Sequence, residues 1–455
     1  MHKSKLVLGY TLCLIVGALN FACRKEATVA RASRDLAANI SKSLNTRNEG
    51  TAAEAKIEES RIYIDATISM NGFANQNSTY DELLDELGNA MPGAQVYKYG
   101  QEGNTPPKEV SALVRRVGFG LEIHRPSFYD LTYNPDDRLI DFLAAENRPV
   151  RSVLITDGVY SEQEGSTSPP VVEAIRKWMG RGRTFGILIF RSAFKGKFYS
   201  EKARGMQPSI PVGDRPFYAF VFSPTEEGVK EVREKLQRHF KNLKVILFSD
   251  EGSETMVSFP NSKASYSRKS PPETDYYWEM FTGDLFAQAN PVPMKFTAKV
   301  KLPPDYPATE LKLEVQPEYY RWEQNQFKKV EGGPPAGFSH TFETGQPPPT
   351  AEDSKGAAGG GKDKGQPAGE PPNLTVFFPK DASSGYGFYV LKLVPAVKEL
   401  RPEIQQMSTR DDSNRADANK TFRFFELITA LTDIHFKDHM ARRISPAIFV
   451  TVDND

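Results

Sequence analysis

The sequence predicts an α/β fold with a doubly wound, mostly parallel sheet, followed by a β-sandwich-like domain and a small α/β tail. Two patterns in the 455 residues support this prediction. Between about 58 and 250, short apolar runs alternate with amphipathic stretches, as strands and helices do in open α/β sheets. From about 290 onward, apolar and polar residues alternate with the period of half-buried strands. A chain of this length is expected to form two or three domains.

The first 22 residues predict a signal peptide. Two lysines precede an apolar run over 6–19 that is too short to cross a bilayer comfortably. An uncleaved anchor or a core helix is the alternative. The two cysteines of the chain are Cys13, within that run, and Cys23, at its end. Cleavage before Cys23 would leave one thiol, at the first mature residue, and therefore no intramolecular disulfide.

A signal peptide that ends before a lone cysteine resembles those of bacterial lipoproteins, in which the cysteine sulfur carries a lipid. The resemblance implies lipidation of Cys23, a membrane anchor and a location at the cell envelope. One departure is Asn20, which stands where such signals usually have Leu, and a plain secreted protein is the alternative. The polar residues 23–57 that follow predict a solvated tether with helical tendency.

The other domain boundaries follow from changes in composition. We expect an α/β domain over 58–250, a Ser-, Pro- and aromatic-rich connector over 251–289, and a β domain over 290–396. A Pro-, Gly- and Lys-rich segment, 345–373, interrupts the β domain and is predicted to be disordered, because it buries too little apolar area to offset its chain entropy. The C-terminal segment 397–455 is predicted to contain an amphipathic helix and a final strand.

Charge and motif content exclude some classes of function. Lys plus Arg and Asp plus Glu each total 58, so the formal net charge is zero. This balance predicts no general attraction to nucleic acid. The sequence also has no Gly-x-Ser-x-Gly elbow, no Gly-rich phosphate loop and no His-Glu-x-x-His pair. These absences favour a binding protein over an enzyme.

Side chains with oxygen ligands follow two predicted strands of the α/β domain. The first strand ends at Asp65, and Thr67 and Ser69 follow at alternate positions. A later strand ends in Thr-Asp-Gly, which contains Asp157, and Thr132 lies in a loop between the two. Ligands of open α/β sheets bind at the carboxyl ends of the strands. Carboxylate and hydroxyl oxygens suit a hard cation such as Mg²⁺, Mn²⁺ or Ca²⁺.

The order of these pieces resembles the metal-ion-dependent adhesion site of von Willebrand factor type A domains. The resemblance implies five metal-contacting positions, namely Asp65, Thr67, Ser69, Thr132 and Asp157. The family motif is Asp-x-Ser-x-Ser, so Thr67 departs from it but keeps the hydroxyl. Ser127 lies in the same loop as Thr132 and is the alternative third hydroxyl. A simpler alternative is that the first motif only caps the next helix.

The resemblance implies a function based on an open position of the bound ion, Mg²⁺ or else Mn²⁺ or Ca²⁺. An acidic side chain of a protein ligand would fill this position, so we expect metal-dependent protein binding without turnover, as adhesion or as a scaffold of an envelope complex. Two alternatives stay open. One is a metal-assisted hydrolase at the envelope, and the other is a structural envelope protein whose metal site is not functional.

Overall fold

The structure is a computed structural model. It describes residues 25–44, 56–101, 110–132, 136–158, 170–196, 199–200, 205–206, 210–259, 265–269, 276–281, 285, 288–343, 373–381, 385–413 and 417–454. The expected signal peptide and Cys23 lie outside these ranges, as do the last part of the expected tether and nearly all of the expected disordered segment.

The N-terminal part of the chain forms an α/β domain. Its strands are β1 (Glu59–Asp65), β2 (Gln95–Tyr99), β3 (Val114–Val117), β4 (Val150–Thr156), β5 (Thr184–Gly196), β6 (Tyr199–Ser200), β7 (Gly205–Met206), β8 (Ile210–Ser223) and β9 (Lys244–Phe248). Helix α1, over 25–44, precedes the domain. The helices within it are α2 (Ile68–Asn71), α3 (Thr79–Ala90), α4 (Asp136–Ala145), α5 (Pro170–Met179) and α6 (Glu226–His239).

Seven of these strands form one sheet in the order β3-β2-β1-β4-β8-β5-β9. The α/β class is confirmed, but the sheet is mixed and the expectation of a mostly parallel sheet is wrong. Strand β1 pairs in parallel with β2 and β4, whereas the other four pairings of this sheet are antiparallel. Strand β8 runs back along β5 and inserts between β4 and β5. Alternating apolar runs do not encode strand direction, because hairpins and crossovers both produce them.

Helices cover both faces of this sheet. On one face α3 and α6 contribute residues such as Leu83 and Val229 to a core that includes Ile64 and Ile155. On the other face α4 and α5 pack over Tyr63 and Leu154. All seven residues of β4 are buried, as expected for a central strand covered on both sides. This core fixes the ends of β1 and β4, from which the candidate site extends.

The C-terminal half contains two five-stranded sheets. The strands are β10 (Glu254–Ser258), β11 (Ser265–Lys269), β12 (Tyr277–Phe281), β13 (Val292–Lys301), β14 (Ala308–Glu323), β15 (Gln326–Lys329), β16 (Ser339–Glu343), β17 (Asn373–Phe378), β18 (Tyr386–Leu400), β19 (Ser408–Thr409), β20 (Thr421–Phe422) and β21 (Ala447–Asp453). The helices are α7 (Pro402–Gln406), α8 (Phe424–His435) and α9 (Ala441–Ile444), with a π-helical turn, Phe436–Met440, before α9.

The first sandwich sheet has the order β11-β10-β13-β17-β16, and the second has the order β12-β21-β18-β14-β15. Both contribute to one apolar core, in which Phe296 and Val376 of the first sheet join Leu391 and Val450 of the second. The alternation of apolar and charged residues in β13 matches its alternating burial. Two sheets that share a core in this way form a sandwich.

The boundaries of this sandwich differ from those expected. Residues 251–289, expected to be a connector, supply β10, β11 and β12. The expected final strand exists as β21, but it lies inside the second sheet between β12 and β18. The expected helix of the tail exists as α8, and it packs against α5 of the α/β domain. The tail is therefore divided between the two domains, because its apolar faces are buried in both.

Helix α1 also differs from the expectation of a solvated tether. Its residues Val29, Ser33 and Ala37 are fully buried. Ala37 packs with Phe388 and Phe449 on the outer face of the second sandwich sheet. These buried positions recur every three or four residues, as one face of a helix does. The composition of this segment predicted helix, but its small buried residues gave no sign of a packed face.

Over the described ranges, no helix combines the length and apolar character that a membrane crossing requires.

Candidate metal centre

Three loops meet at one edge of the sheet in the α/β domain, and each contains a predicted site residue. Strands β1 and β4 are parallel neighbours, with Ile64 opposite Ile155. Their carboxyl ends therefore lie side by side, which brings Asp65 next to the turn that contains Asp157. Both carboxylates are almost completely buried, with exposed fractions of 0% and 4%. Buried carboxylates require compensation by hydrogen bonds or by positive charge.

Hydrogen bonds hold Asp65 on both of its oxygens. Its Oδ1 accepts from the backbone N–H of Thr67 at 2.9 Å and from the Thr67 hydroxyl at 2.7 Å. Its Oδ2 accepts from the hydroxyl of Thr156 at 3.4 Å. The Thr156 hydroxyl in turn accepts from the backbone N–H of Gly158 at 3.2 Å. The Thr156 hydroxyl thus joins the motif that starts at Asp65 to the Thr-Asp-Gly turn. Thr156 was not among the predicted metal ligands.

The hydroxyls of Thr67 and Ser69 lie 3.0 Å apart. Thr67 is the residue that caps α2, but its side chain makes no capping hydrogen bond to that helix. The helix-capping alternative for this hydroxyl is therefore not supported. The Thr67 hydroxyl instead faces Asp65 and Ser69, which leaves two hydroxyl oxygens and one carboxylate close together at the end of β1.

The loop with Thr132 joins the first motif through the backbone. Leu131 forms an isolated parallel bridge with Thr67. The N–H of Ile68 donates to the Leu131 oxygen at 2.9 Å, and the N–H of Leu131 donates to the Ala66 oxygen at 3.1 Å. Thr132, the next residue, is exposed at this edge. The three predicted pieces of the site therefore come together.

Ser127, the alternative to Thr132, lies in a short helical turn of the same loop. The side-chain amide of Asn71 fixes this turn by donating to the oxygens of Pro126 and Tyr129, at 2.7 and 3.3 Å. Ser127 itself is exposed. Thr132 directly follows the residue that bridges to Thr67, so the backbone favours Thr132 as the third hydroxyl of the site.

Arg215 is a site residue that the sequence analysis missed. Its Nη2 lies 3.9 Å from Oδ2 of Asp157, and both side chains are 5% exposed. The guanidinium also lies over the ring of Phe194, 4.8 Å from the ring centre. Burial lowers the pKa of Arg215, and the nearby Asp157 opposes this effect. The arginine is on β8, the strand whose insertion was not expected, so its proximity to the site follows from the tertiary structure.

The separation of the Thr67 and Ser69 hydroxyl oxygens can be compared with the spacing of ligands around a metal ion. Adjacent ligands of octahedral Mg²⁺, with bonds of about 2.1 Å, lie about 3.0 Å apart. The Thr67 and Ser69 hydroxyls are hydrogen-bonded to each other with this same separation, so both oxygens could bind one ion without moving apart. Over the described residues, no three His, Cys, Asp or Glu side chains form a group that could hold a metal ion. An ion at this edge would therefore depend on the hydroxyls as well as on Asp65 and Asp157, and the donor set fits a hard cation.

Comparisons of the chain with protein families, with curated proteins and with solved structures found no match.

Proposed function

We propose that the chain binds a protein ligand through a divalent cation, Mg²⁺ or else Mn²⁺ or Ca²⁺, at the edge formed by Asp65, Thr67, Ser69, Thr132 and Asp157. The observation that carries the proposal is the convergence of the first motif with the Thr-Asp-Gly turn, through the Thr156 hydrogen bond to Asp65. Residues from separate parts of the chain, 91 positions apart, thus share one hydrogen-bonded cluster.

The charges of the cluster favour an acidic ligand. Asp65 and Asp157 contribute two negative charges, and Arg215 contributes one positive charge. The buried Asp412 also acts electrostatically on Arg215. Counted over Asp65, Asp157 and Arg215, a divalent cation would leave one excess positive charge. Since the surroundings are buried, this charge is poorly screened, and a carboxylate of a partner protein would compensate it.

The residues of this site have distinct proposed roles. Thr67, Ser69 and Thr132 present hydroxyl oxygens, and Asp65 holds the first of these hydroxyls in place. Asp157 supplies the second carboxylate, and the positive charge of Arg215 partly compensates the negative charge of Asp157. When bound, the ion would supply a position that accepts a carboxylate oxygen. This division of roles requires no general base, in accordance with binding without turnover.

We also propose that the protein is exported and is anchored by a lipid on Cys23. The described part of α1 starts two residues after Cys23 in the sequence and packs on the sandwich. The anchor would then hold the sandwich close to the membrane surface, rather than at the end of a long solvated tether. The α/β domain, which carries the metal centre, would be the part that meets a partner.

The proposed function is tested by titrating Mg²⁺ and Mn²⁺ into the metal-stripped full chain by calorimetry. We expect binding at one site, and loss of binding in Asp65→Ala and Asp157→Ala. The matched control is Asp130→Asn, because Asp130 is in the same loop as Thr132 but its carboxylate pairs with Lys98 at 2.7 Å. Comparison of Thr132→Ala with Ser127→Ala identifies the third hydroxyl.

The ligand class is tested with a glutamate-containing peptide and its glutamine counterpart. We expect the glutamate peptide alone to bind, and only in the presence of Mg²⁺ or Mn²⁺. Turnover of a model ester or phosphate ester that depends on Asp65 would instead support the hydrolase. A chain that binds neither metal nor peptide would support the structural role.

A further inference from the structure

A cavity lies at the same end of the α/β sheet as the candidate metal centre, but near the β9 edge of the sheet. It has a volume of about 420 Å³, within the range of roughly 300 to 1,000 Å³ that is usual for small-molecule sites. Ile189 of β5 lines it and pairs with Tyr218 of β8, which in turn pairs with Thr156 at the end of β4. Two strand spacings, about 10 Å, therefore separate this part of the cavity from Thr156.

The cavity forms because β9 is shorter than β5. Strand β9 begins at Lys244, opposite Ile189, and β5 continues to Gly196. The space beside the upper part of β5 is bounded by the turn between α6 and β9 and by Met407. Met407 comes from the C-terminal segment, whereas the other described lining residues belong to the α/β domain. Pockets often occur at such junctions between domains.

The inner wall of the cavity is apolar. Phe190 packs in the core on one face of the sheet, and the half-buried Phe240 and Leu243 pack against that core. Ile189 and Met407 belong to the core on the other face, so the apolar lining lies at the edge of β5. An apolar wall of this kind provides most of the affinity for the body of a small ligand.

The rim of the cavity is basic. Arg191, Lys241 and Lys244 line it, and none of its described lining residues is acidic. Arg191 already donates to Asp214 at 2.7 Å and to the backbone oxygen of Asn419 at 3.1 Å. Lys241 and Lys244 are exposed and form no ion pair with a described residue. Two uncompensated ammonium groups beside an apolar wall match a ligand that has a negative head and an apolar body.

We propose that this cavity binds a small organic anion with an apolar body, with Lys241 and Lys244 contacting the anionic group. The site is separate from the metal centre and does not depend on the proposed function. Because Met407 contributes to the wall and Asn419 holds Arg191, such a ligand would contact both the α/β domain and the C-terminal segment.

The test uses two fluorescent probes that differ mainly in one charged group. These are 8-anilinonaphthalene-1-sulfonate and the neutral N-phenyl-1-naphthylamine, each titrated into the full chain. We expect the sulfonate to bind at one site at least tenfold more tightly than the neutral probe. Lys241→Gln/Lys244→Gln should weaken sulfonate binding at least tenfold. The matched control, Lys177→Gln/Lys295→Gln, removes two exposed lysines elsewhere and should leave binding unchanged.

Competition between the sulfonate probe and two other anions shows whether the bound anion needs an apolar body. Decanoate should displace the sulfonate probe, and inorganic phosphate at the same concentration should not, because phosphate has no apolar body. Equal binding of the two probes, retention of affinity in the Lys241/Lys244 variant, or displacement by phosphate alone would overturn the proposal. Asp65→Ala should leave probe binding intact, so failure of the metal centre and failure of the cavity are distinguishable.

Discussion

The hydroxyl of Tyr218 donates a 2.8 Å hydrogen bond to the hydroxyl of Thr421, 203 residues later in the chain. Tyr218 also stacks on Phe424, with ring centres 4.6 Å apart. These contacts join β8 of the α/β domain to β20 and to the start of α8. Since Tyr218 also lies under Gly158, the Thr-Asp-Gly turn of the candidate metal centre rests on a residue that the C-terminal segment holds in place.

Tyr218→Phe should destabilise the protein by about 1–2 kcal/mol, because it leaves the buried Thr421 hydroxyl without its donor. Chemical denaturation followed by circular dichroism measures this change. The control is Tyr97→Phe, which removes a hydroxyl that bonds to Gln95 on its own strand. This control should change the free energy of unfolding by less than about 0.5 kcal/mol. Equal effects of the two substitutions would contradict a role for the contact between the domains.

Gly158→Ala should disrupt the metal centre. Gly158 has φ +70°, and an added Cβ would lie 2.6 Å from the ring of Tyr218. We expect a cost of about 3 kcal/mol from backbone strain and steric overlap together, with loss of Mg²⁺ binding. Gly93→Ala is a matched control, because Gly93 has φ +78° but open space around it. It should cost about 1 kcal/mol and leave calorimetric Mg²⁺ binding unchanged.

Arg215→Met should have opposite effects on stability and on metal affinity. Without metal, the substitution removes the buried positive charge beside Asp157, at a cost of roughly 3 kcal/mol. With metal, it removes a positive charge that repels the ion, so Mg²⁺ affinity should rise by roughly tenfold. Thermal unfolding with and without Mg²⁺ measures both effects. Arg191→Met, on the adjacent strand β5 and paired with Asp214, should leave Mg²⁺ affinity unchanged. Weaker Mg²⁺ binding in Arg215→Met would refute the repulsion.

Ala37→Lys should detach α1 from the sandwich, because it places a charge at a fully buried contact with Phe388 and Phe449. Hydrogen exchange of α1 measures the detachment, and we expect its protection to fall by at least tenfold. Ala38→Lys is the control, since the next residue is exposed. Unchanged protection in Ala37→Lys would show that α1 does not depend on this contact.

Glu318 should make the sandwich sensitive to acid. Burial raises the pKa of Glu318, but hydrogen bonds from Lys392 and Lys329 outweigh this effect and lower the pKa to about 2. A carboxyl whose pKa is lowered on folding stabilises the protein above its usual pKa, about 4.5. This stabilisation is lost as the pH falls from about 4.5 to about 2.

Glu318→Gln should therefore flatten the dependence of stability on pH between about 4.5 and 2. Unfolding measured by circular dichroism across this range checks the result. Glu331→Gln, at an exposed position outside the strands, should leave the dependence as it is in the unsubstituted protein. An unchanged pH dependence in Glu318→Gln would contradict the effect of the two lysines.

The sequence alone determined the α/β class, the period-two strands of the sandwich and the pieces of the candidate metal centre. These features are local. Asp65, Thr67 and Ser69 follow one strand directly, and Asp157 follows another. Strand ends of this kind are recognisable because apolar runs stop where polar residues begin. The parallel pairing of β1 and β4 then brings the motifs together.

The strand directions, the membership of the sheets and the charge beside Asp157 depend on contacts between distant parts of the chain. Strand β8 inserts between β4 and β5 and carries Arg215 to the site. Helix α1 packs on residues more than 300 positions later in the chain, and β21 pairs with β12, 171 positions earlier. These arrangements depend on which apolar faces bury each other across the whole chain, and local periodicity contains no information about a distant partner.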